Sequence, residues 1–134
     1  RAIFIEQHIA EKVHAYTKSY GGRQGSRVKD LVDLVLLSGY RAVAATELGT
    51  VLETVFRARA THDLPKKFPF PPEEWSDVYR KLAKTSPITP DINEAHSTVA
   101  SFLDPVLTAR NEGHWWDPAR QIWIVGKSYA SADG

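Results

Sequence analysis

Ser26-Arg27-Val28-Lys29-Asp30-Leu31-Val32-Asp33-Leu34-Val35-Leu36-Leu37 is the stretch that decides the fold. Seven of its last ten positions are Val or Leu. Such a wide apolar surface on one helix needs cover on several sides, so a helix over 27–37 belongs at the centre of a core. Ser26 reads as its N-cap and Gly39 as the residue just past its end. Upstream, Ile9, Val13 and Tyr16 recur at offsets of four and three, an amphipathic helix over 6–18. The intervening Ser-Tyr-Gly-Gly-Arg-Gln-Gly-Ser, with three glycines, reads as a flexible loop over 19–26.

Further along, Leu48, Val51, Leu52, Val55 and Phe56 mark a third helix, from Thr46 to about Ala60. A basic, proline-dense linker over 64–72 precedes a fourth helix at about 73–84. Its acids stand first and its cations last, as the helix dipole prefers. Asp91 and Glu94 open a fifth helix as an Asp-x-x-Glu capping box, and Pro105 should end or kink it. Two aromatic, β-branched runs, 114–116 and 121–125, flank Asp117-Pro118 and suggest a hairpin. Ala2-Ile3-Phe4-Ile5 reads as a short strand, and 128–134 as a frayed tail. The expectation is a mainly α domain (α+β overall): a bundle of about five helices with a short N-terminal strand and a C-terminal hairpin.

Composition bounds the function. The chain has 134 residues, 43% of them hydrophobic and 25% charged, the profile of one globular domain rather than a disordered chain. A net charge of +1 excludes a nucleic-acid coat but not a local basic patch. Cysteine is absent, which removes disulfides, thiol nucleophiles and Cys-based zinc sites and fits a reducing compartment such as the cytoplasm. The most apolar stretch, 31–37, contains Asp33, so no segment reads as membrane-spanning. The five histidines show no zinc spacing, and His14 reads as a surface or interhelical hydrogen-bonding residue. Met is absent throughout, and Arg1 leads directly into an apolar run; the expectation is a fragment entered in mid-domain.

Asp30 and Asp33 are three apart and share one helix face. Antiparallel packing of the first two helices brings Lys12 towards Asp30. A lysine and a carboxylate at a core edge can hold a triphosphate and a metal or an attacking group. The plainer reading is two surface ion pairs, Arg27–Asp30 and Lys29–Asp33. Arg57, Arg59, His62, Lys66 and Lys67 make the densest basic run, with Phe68 and Phe70 just after it. It reads either as an RNA groove or as a solvated helix end whose phenylalanines anchor into the core. Trp115, Trp116 and Trp123 read as a hairpin core.

Ala10-Glu11-Lys12-x-His14-Ala15 followed by Ser26-Arg27-x-Lys29-Asp30-Leu31-x-Asp33-Leu34 resembles the second half of the AbiEii family, abortive-infection nucleotidyltransferase toxins of bacterial toxin–antitoxin systems. Arg57-Ala58-Arg59-Ala60-Thr61-His62-x-Leu64-Pro65, Pro71-Pro72-x-x-Trp75, 101–107 and Trp116-x-Pro118-x-x-x-x-Trp123 are similar to the family's helical C-terminal part. The resemblance implies transfer of a nucleotide from a nucleoside triphosphate to an RNA, a transfer RNA, with Mg²⁺. It makes Lys12 and Asp30 the catalytic pair, Asp33 the lesser candidate, and Arg27, Lys29, Arg57, Arg59, Lys66 and Lys67 phosphate or RNA ligands. It also implies a cognate antitoxin, often a winged-helix repressor. The family's Gly-Ser followed by Asp-x-Asp, the metal-binding half, occurs nowhere in this sequence, so no metal site is complete and the chain alone should be inactive. The alternative is a non-catalytic helical protein-interaction domain, with solvated Asp30 and Asp33 and a docking surface at 115–123.

Overall fold

A computed structural model of the protein describes residues 4–18 and 24–125, with only the backbone of 24–26. Five α-helices, a 3₁₀ turn and three short strands follow in the order α1 (Ile5–Thr17), α2 (Gln24–Ser38), β1 (Val43–Ala44), α3 (Ala45–Arg59), the 3₁₀ turn (Glu73–Trp75), α4 (Ser76–Ala83), α5 (Ile92–Leu107), β2 (His114–Asp117) and β3 (Ile122–Val125). The mainly α architecture with a small sheet is the one the periodicity predicts.

α2 packs against α1, α4 and α5. Val28, Leu31 and Leu34 are fully buried, and Val32 and Val35 nearly so. No single face of a helix could bury this set; three neighbours can. α1 lies across both α2 and α3 and buries Ile9, Ala10 and Val13 between them. A 3₁₀ turn at Glu73–Trp75 leads into α4, which packs on α2 and α5.

Several local expectations are corrected. Ile5 begins α1 rather than ending a strand; Ala2 and Ile3 lie outside the described residues. α2 begins at Gln24, so Ser26 sits inside the helix and cannot be its N-cap, while residues 19–23 of the expected loop are outside the description. The tail over 128–134 also lies outside it. Gly39 follows α2 without a left-handed φ, because Gly39 N–H and Tyr40 N–H close tighter turns on Leu36 O and Leu37 O. Asp91 caps α5 by accepting from Asn93 N–H at 2.8 Å. Glu94 does not reach back to Asp91; Thr89 bridges them, its hydroxyl donating to Glu94 and accepting from Asp91 N–H. α5 also runs through Pro105 to Leu107. A proline within the last turn removes one intrahelical bond without preventing the turn from closing, here by Thr108 N–H to Asp104 O.

The expected hairpin forms, with Trp116 opposite Trp123. Asp117 holds its turn by accepting from Ala119 and Arg120 N–H, and Arg120 N–H, the strongest influence, keeps its carboxyl below the usual range. The sheet has a third strand that the sequence did not reveal: β1 pairs antiparallel with β2, Val43 opposite Trp116. Trp116 is fully buried against Phe102, and its indole N–H donates to Ser38 O at the end of α2. Trp116 is therefore core and Trp123 packs half-buried against it, whereas Trp115 is half-buried outside the core cluster; Trp116 is unavailable to a docking surface.

Candidate functional site at the α1–α2 face

Lys12 projects from α1 beside the buried Ile9–Val13 stripe, and Asp30 and Asp33 project from α2 one turn apart. The helices meet there. Lys12 Nζ stands 2.9 Å from Asp33 Oδ2 and 3.4 Å from Asp30 Oδ1. The predicted Lys12–Asp30 approach is present, but Asp33 shares the ammonium and lies closer. This corrects one of the two local ion pairs the spacing allowed. The Lys29–Asp33 pair is not formed and Lys29 is exposed, while Arg27 acts on Asp30 through its charge.

The three groups are unequally placed. The side chain of Asp30 is 13% exposed against 31% for Asp33 and 35% for Lys12. Burial pushes the Asp30 carboxyl above its ordinary value, only partly offset by Lys12. The hydrogen bond to Asp33 is the main reason that the Lys12 ammonium is held above its usual pKa. The result is a half-buried carboxylate that holds a proton more readily than usual, beside a cation that stays charged.

Among the described residues no group of three or more His, Asp or Glu side chains stands together as a metal cage. Asp30 and Asp33 already share one ammonium. These residues by themselves do not fit a magnesium ion.

A second polar cluster locks the neighbouring side of α1. α3 ends at Arg59, and its C-cap Ala60, with a left-handed φ of 52°, turns the chain back towards α1. There His14 Nε2 meets Thr61 Oγ1 at 2.8 Å, Thr61 Oγ1 meets His62 Nδ1 at 2.9 Å, and His62 Nε2 meets Thr17 Oγ1 at 2.7 Å. Thr17 donates to Val13 O, which orders the whole chain. Thr17 therefore accepts from His62 Nε2–H; with His62 neutral, its Nδ1 accepts from Thr61, and Thr61 accepts from His14 Nε2–H. In this arrangement both imidazoles are neutral and every proton of the relay has one acceptor. His14 is thus buried rather than a surface residue, and it bonds the turn that follows α3. Arg59, on the same turn, pairs with Glu11.

Burial, and for His14 next the charge of His62, lowers both histidines below 6.5. As pH falls through 6.5, the unfolded chain takes up these protons before the folded one does. Stability present above that pH is therefore lost on acidification. In denaturant titrations at pH 7.5 and 5.5, the wild type is expected to lose more stability than a His14→Gln/His62→Gln variant. Equal losses would show that the relay does not govern acid sensitivity.

The other expected phosphate or RNA ligands, Arg57, Lys66 and Lys67, are exposed and lie away from the carboxylate pair in sequence and element: on the last turn of α3 and on the linker. The linker phenylalanines divide. Phe68 is buried in the core, whereas Phe70 is 72% exposed. Asp33 as an equal partner of Lys12, and the Phe70–His96 stack at 3.9 Å, were missed in the sequence. An i,i+3 pair does not say which residue across the interface it meets.

No curated protein and no solved structure matches the chain significantly. The family model for the nucleotidyl transferase AbiEii toxin of type IV toxin–antitoxin systems matches residues 1–111, which cover α1 to α5 and so the Lys12–Asp30–Asp33 face. With that match over most of its length, the chain belongs to the AbiEii nucleotidyltransferase toxin family, whose place in toxin–antitoxin systems implies an antitoxin partner.

Proposed function

We propose that this chain supplies the triphosphate-binding and hydroxyl-activating face of a toxin that moves a nucleotide from a nucleoside triphosphate to an RNA, a transfer RNA, in the cytoplasm. The observation that carries the reading is the Lys12 ammonium shared between Asp30 and Asp33 across the α1–α2 interface. Lys12 is a compact cation for the triphosphate. Asp30, its pKa raised by burial, takes the proton of the attacking hydroxyl while that oxygen bonds to the α-phosphorus and pyrophosphate leaves. Asp33 holds Lys12 charged and aimed. Arg27 and Lys29, with Arg57, Arg59, Lys66 and Lys67, contribute positive charge for phosphate and the RNA backbone. Magnesium would be held by a Gly-Ser and Asp-x-Asp half that these 134 residues do not contain.

The test is label transfer. The chain is incubated with each α-labelled nucleoside triphosphate, Mg²⁺ and total transfer RNA, alone and as part of a protein that carries the Gly-Ser/Asp-x-Asp half. The chain alone is expected to transfer nothing and the larger protein to label RNA. Robust transfer by the chain alone would show a complete site here and overturn this division of labour. Failure of the larger protein with every nucleotide would overturn the reading itself. The competing reading, a non-catalytic interaction domain, gains no support from Trp116, which is buried.

A further inference from the structure

Four rings form a near-parallel column through the linker. Tyr16 of α1 stacks on Phe68 at 4.5 Å and 16°, Phe68 on His96 of α5 at 5.8 Å and 25°, and His96 on Phe70 at 3.9 Å and 22°. The inner three are buried; the outermost, Phe70, is 72% exposed. The linker backbone is pinned on both sides of the column. Phe68 N–H donates to Asp104 at 2.7 Å, Phe68 O pairs with His96 Nε2 at 3.1 Å, and Tyr16 O–H donates to Pro69 O at 3.0 Å. Prolines at 65, 69, 71 and 72 restrict the remaining backbone freedom. An exposed aromatic ring is ordinarily loose and unremarkable. This one is held flat against a rigid support with its outer face towards solvent.

The adjoining charge names the occupant. Lys66 and Lys67 are exposed, four and three positions before Phe70 in the chain; the nearest acids in sequence, Asp63, Glu73 and Glu74, flank the linker rather than lie within it. A flat π system joined to phosphates matches an aromatic face and two cations carried on one linker. A neutral aromatic side chain of a protein partner would use the ring but leave both lysines unmatched.

We propose that Phe70, backed by His96, is a stacking platform for one unpaired base of the RNA substrate, with Lys66 and Lys67 on the flanking phosphates. The proposal rests on the RNA reading above and deepens it: the substrate must present a single-stranded base, not a duplex alone. A base stacked on such a ring gains affinity without sequence-specific hydrogen bonds, so the platform positions an RNA end rather than reading its sequence.

The probe is a single-stranded oligoribonucleotide of about eight nucleotides, the span of a small single-strand site, carrying one 2-aminopurine. Binding to the chain is followed by anisotropy, and stacking by 2-aminopurine quenching, at several salt concentrations. Phe70→Ala is expected to weaken binding about 5- to 150-fold, abolish the quench and leave the salt slope unchanged. Phe70→Trp restores both affinity and quench. Lys66→Ala and Lys67→Ala each flatten the slope by about one phosphate's worth. Phe70 is exposed, so unchanged thermal melting serves as the folding control. Unaltered affinity and quench in Phe70→Ala would overturn the platform and leave the RNA reading standing. So would a loss that comes with a flattened salt slope, since a missing phosphate contact and not stacking would then be its cause. No binding of the probe by the wild type would overturn the RNA reading, and the platform with it.

Discussion

Lys12→Ala and Asp30→Asn, each made in a protein carrying both halves of the site, are expected to lower nucleotide transfer about 10²–10⁴-fold and to abolish growth inhibition. Phosphoryl-type transfer depends on positioning and charge neutralisation more than on covalent chemistry. Without Lys12 the triphosphate charge is uncompensated at this face. Without the Asp30 carboxylate the attacking hydroxyl keeps its proton. Asp30→Asn should leave the fold intact, because burial already disfavours the charged form and Asn has the same shape. Thermal melting separates that outcome from unfolding. Asp33→Asn separates the roles. It removes the closer anion from Lys12, at 2.9 Å, in a pair whose two side chains are about a third exposed. The cost in stability is under about 1 kcal/mol. Toxicity is expected to persist at a reduced level, since Asp30 still faces the ammonium. If Asp33→Asn abolishes transfer and Asp30→Asn does not, the carboxylate role moves one helical turn within the same face. Full toxicity in all three variants would overturn the catalytic assignment.

Leu34→Ala is expected to cost about 2–5 kcal/mol in a denaturant titration, the range for emptying a fully buried leucine site. Leu34 has no exposed surface, and α2 is held on three sides by α1, α4 and α5, so the cavity cannot readily collapse. Leu36, two residues on, is 37% exposed, and Leu36→Ala should cost far less, about 1 kcal/mol or below. Equal costs at the two positions would mean that α2 is not seated as described. A cost under about 0.5 kcal/mol for Leu34→Ala would remove α2 from the core altogether.

These two leucines also show where reading a sequence stops. Both count equally in the apolar pattern over 27–37, and periodicity places the helix without saying which leucine faces outward. The Lys12–Asp30 approach was legible because helices joined by a short segment pack against each other. Asp33 was assigned to Lys29 by i,i+4 spacing, a rule that holds only while no better cation is near. Lys12, brought from 21 positions upstream and held at the core edge by Val13 and Ile9, supplies that cation.

By itself the sequence determined the five helices, the hairpin, the buried place of the second helix and the family resemblance. These depend on local spacing, and local spacing is written in the chain. β1 was decided by tertiary structure: Val43 and Ala44 are too few to carry a strand pattern and become one because Trp116 and Trp115 lie opposite them. The same holds for the Thr17–His62–Thr61–His14 relay and for the ring column ending at Phe70, which reach α1 through bonds and a stack between residues 45 or more positions apart. Such contacts exist only once α1, α3, α5 and the linker have met, and no residue's neighbours in sequence announce them.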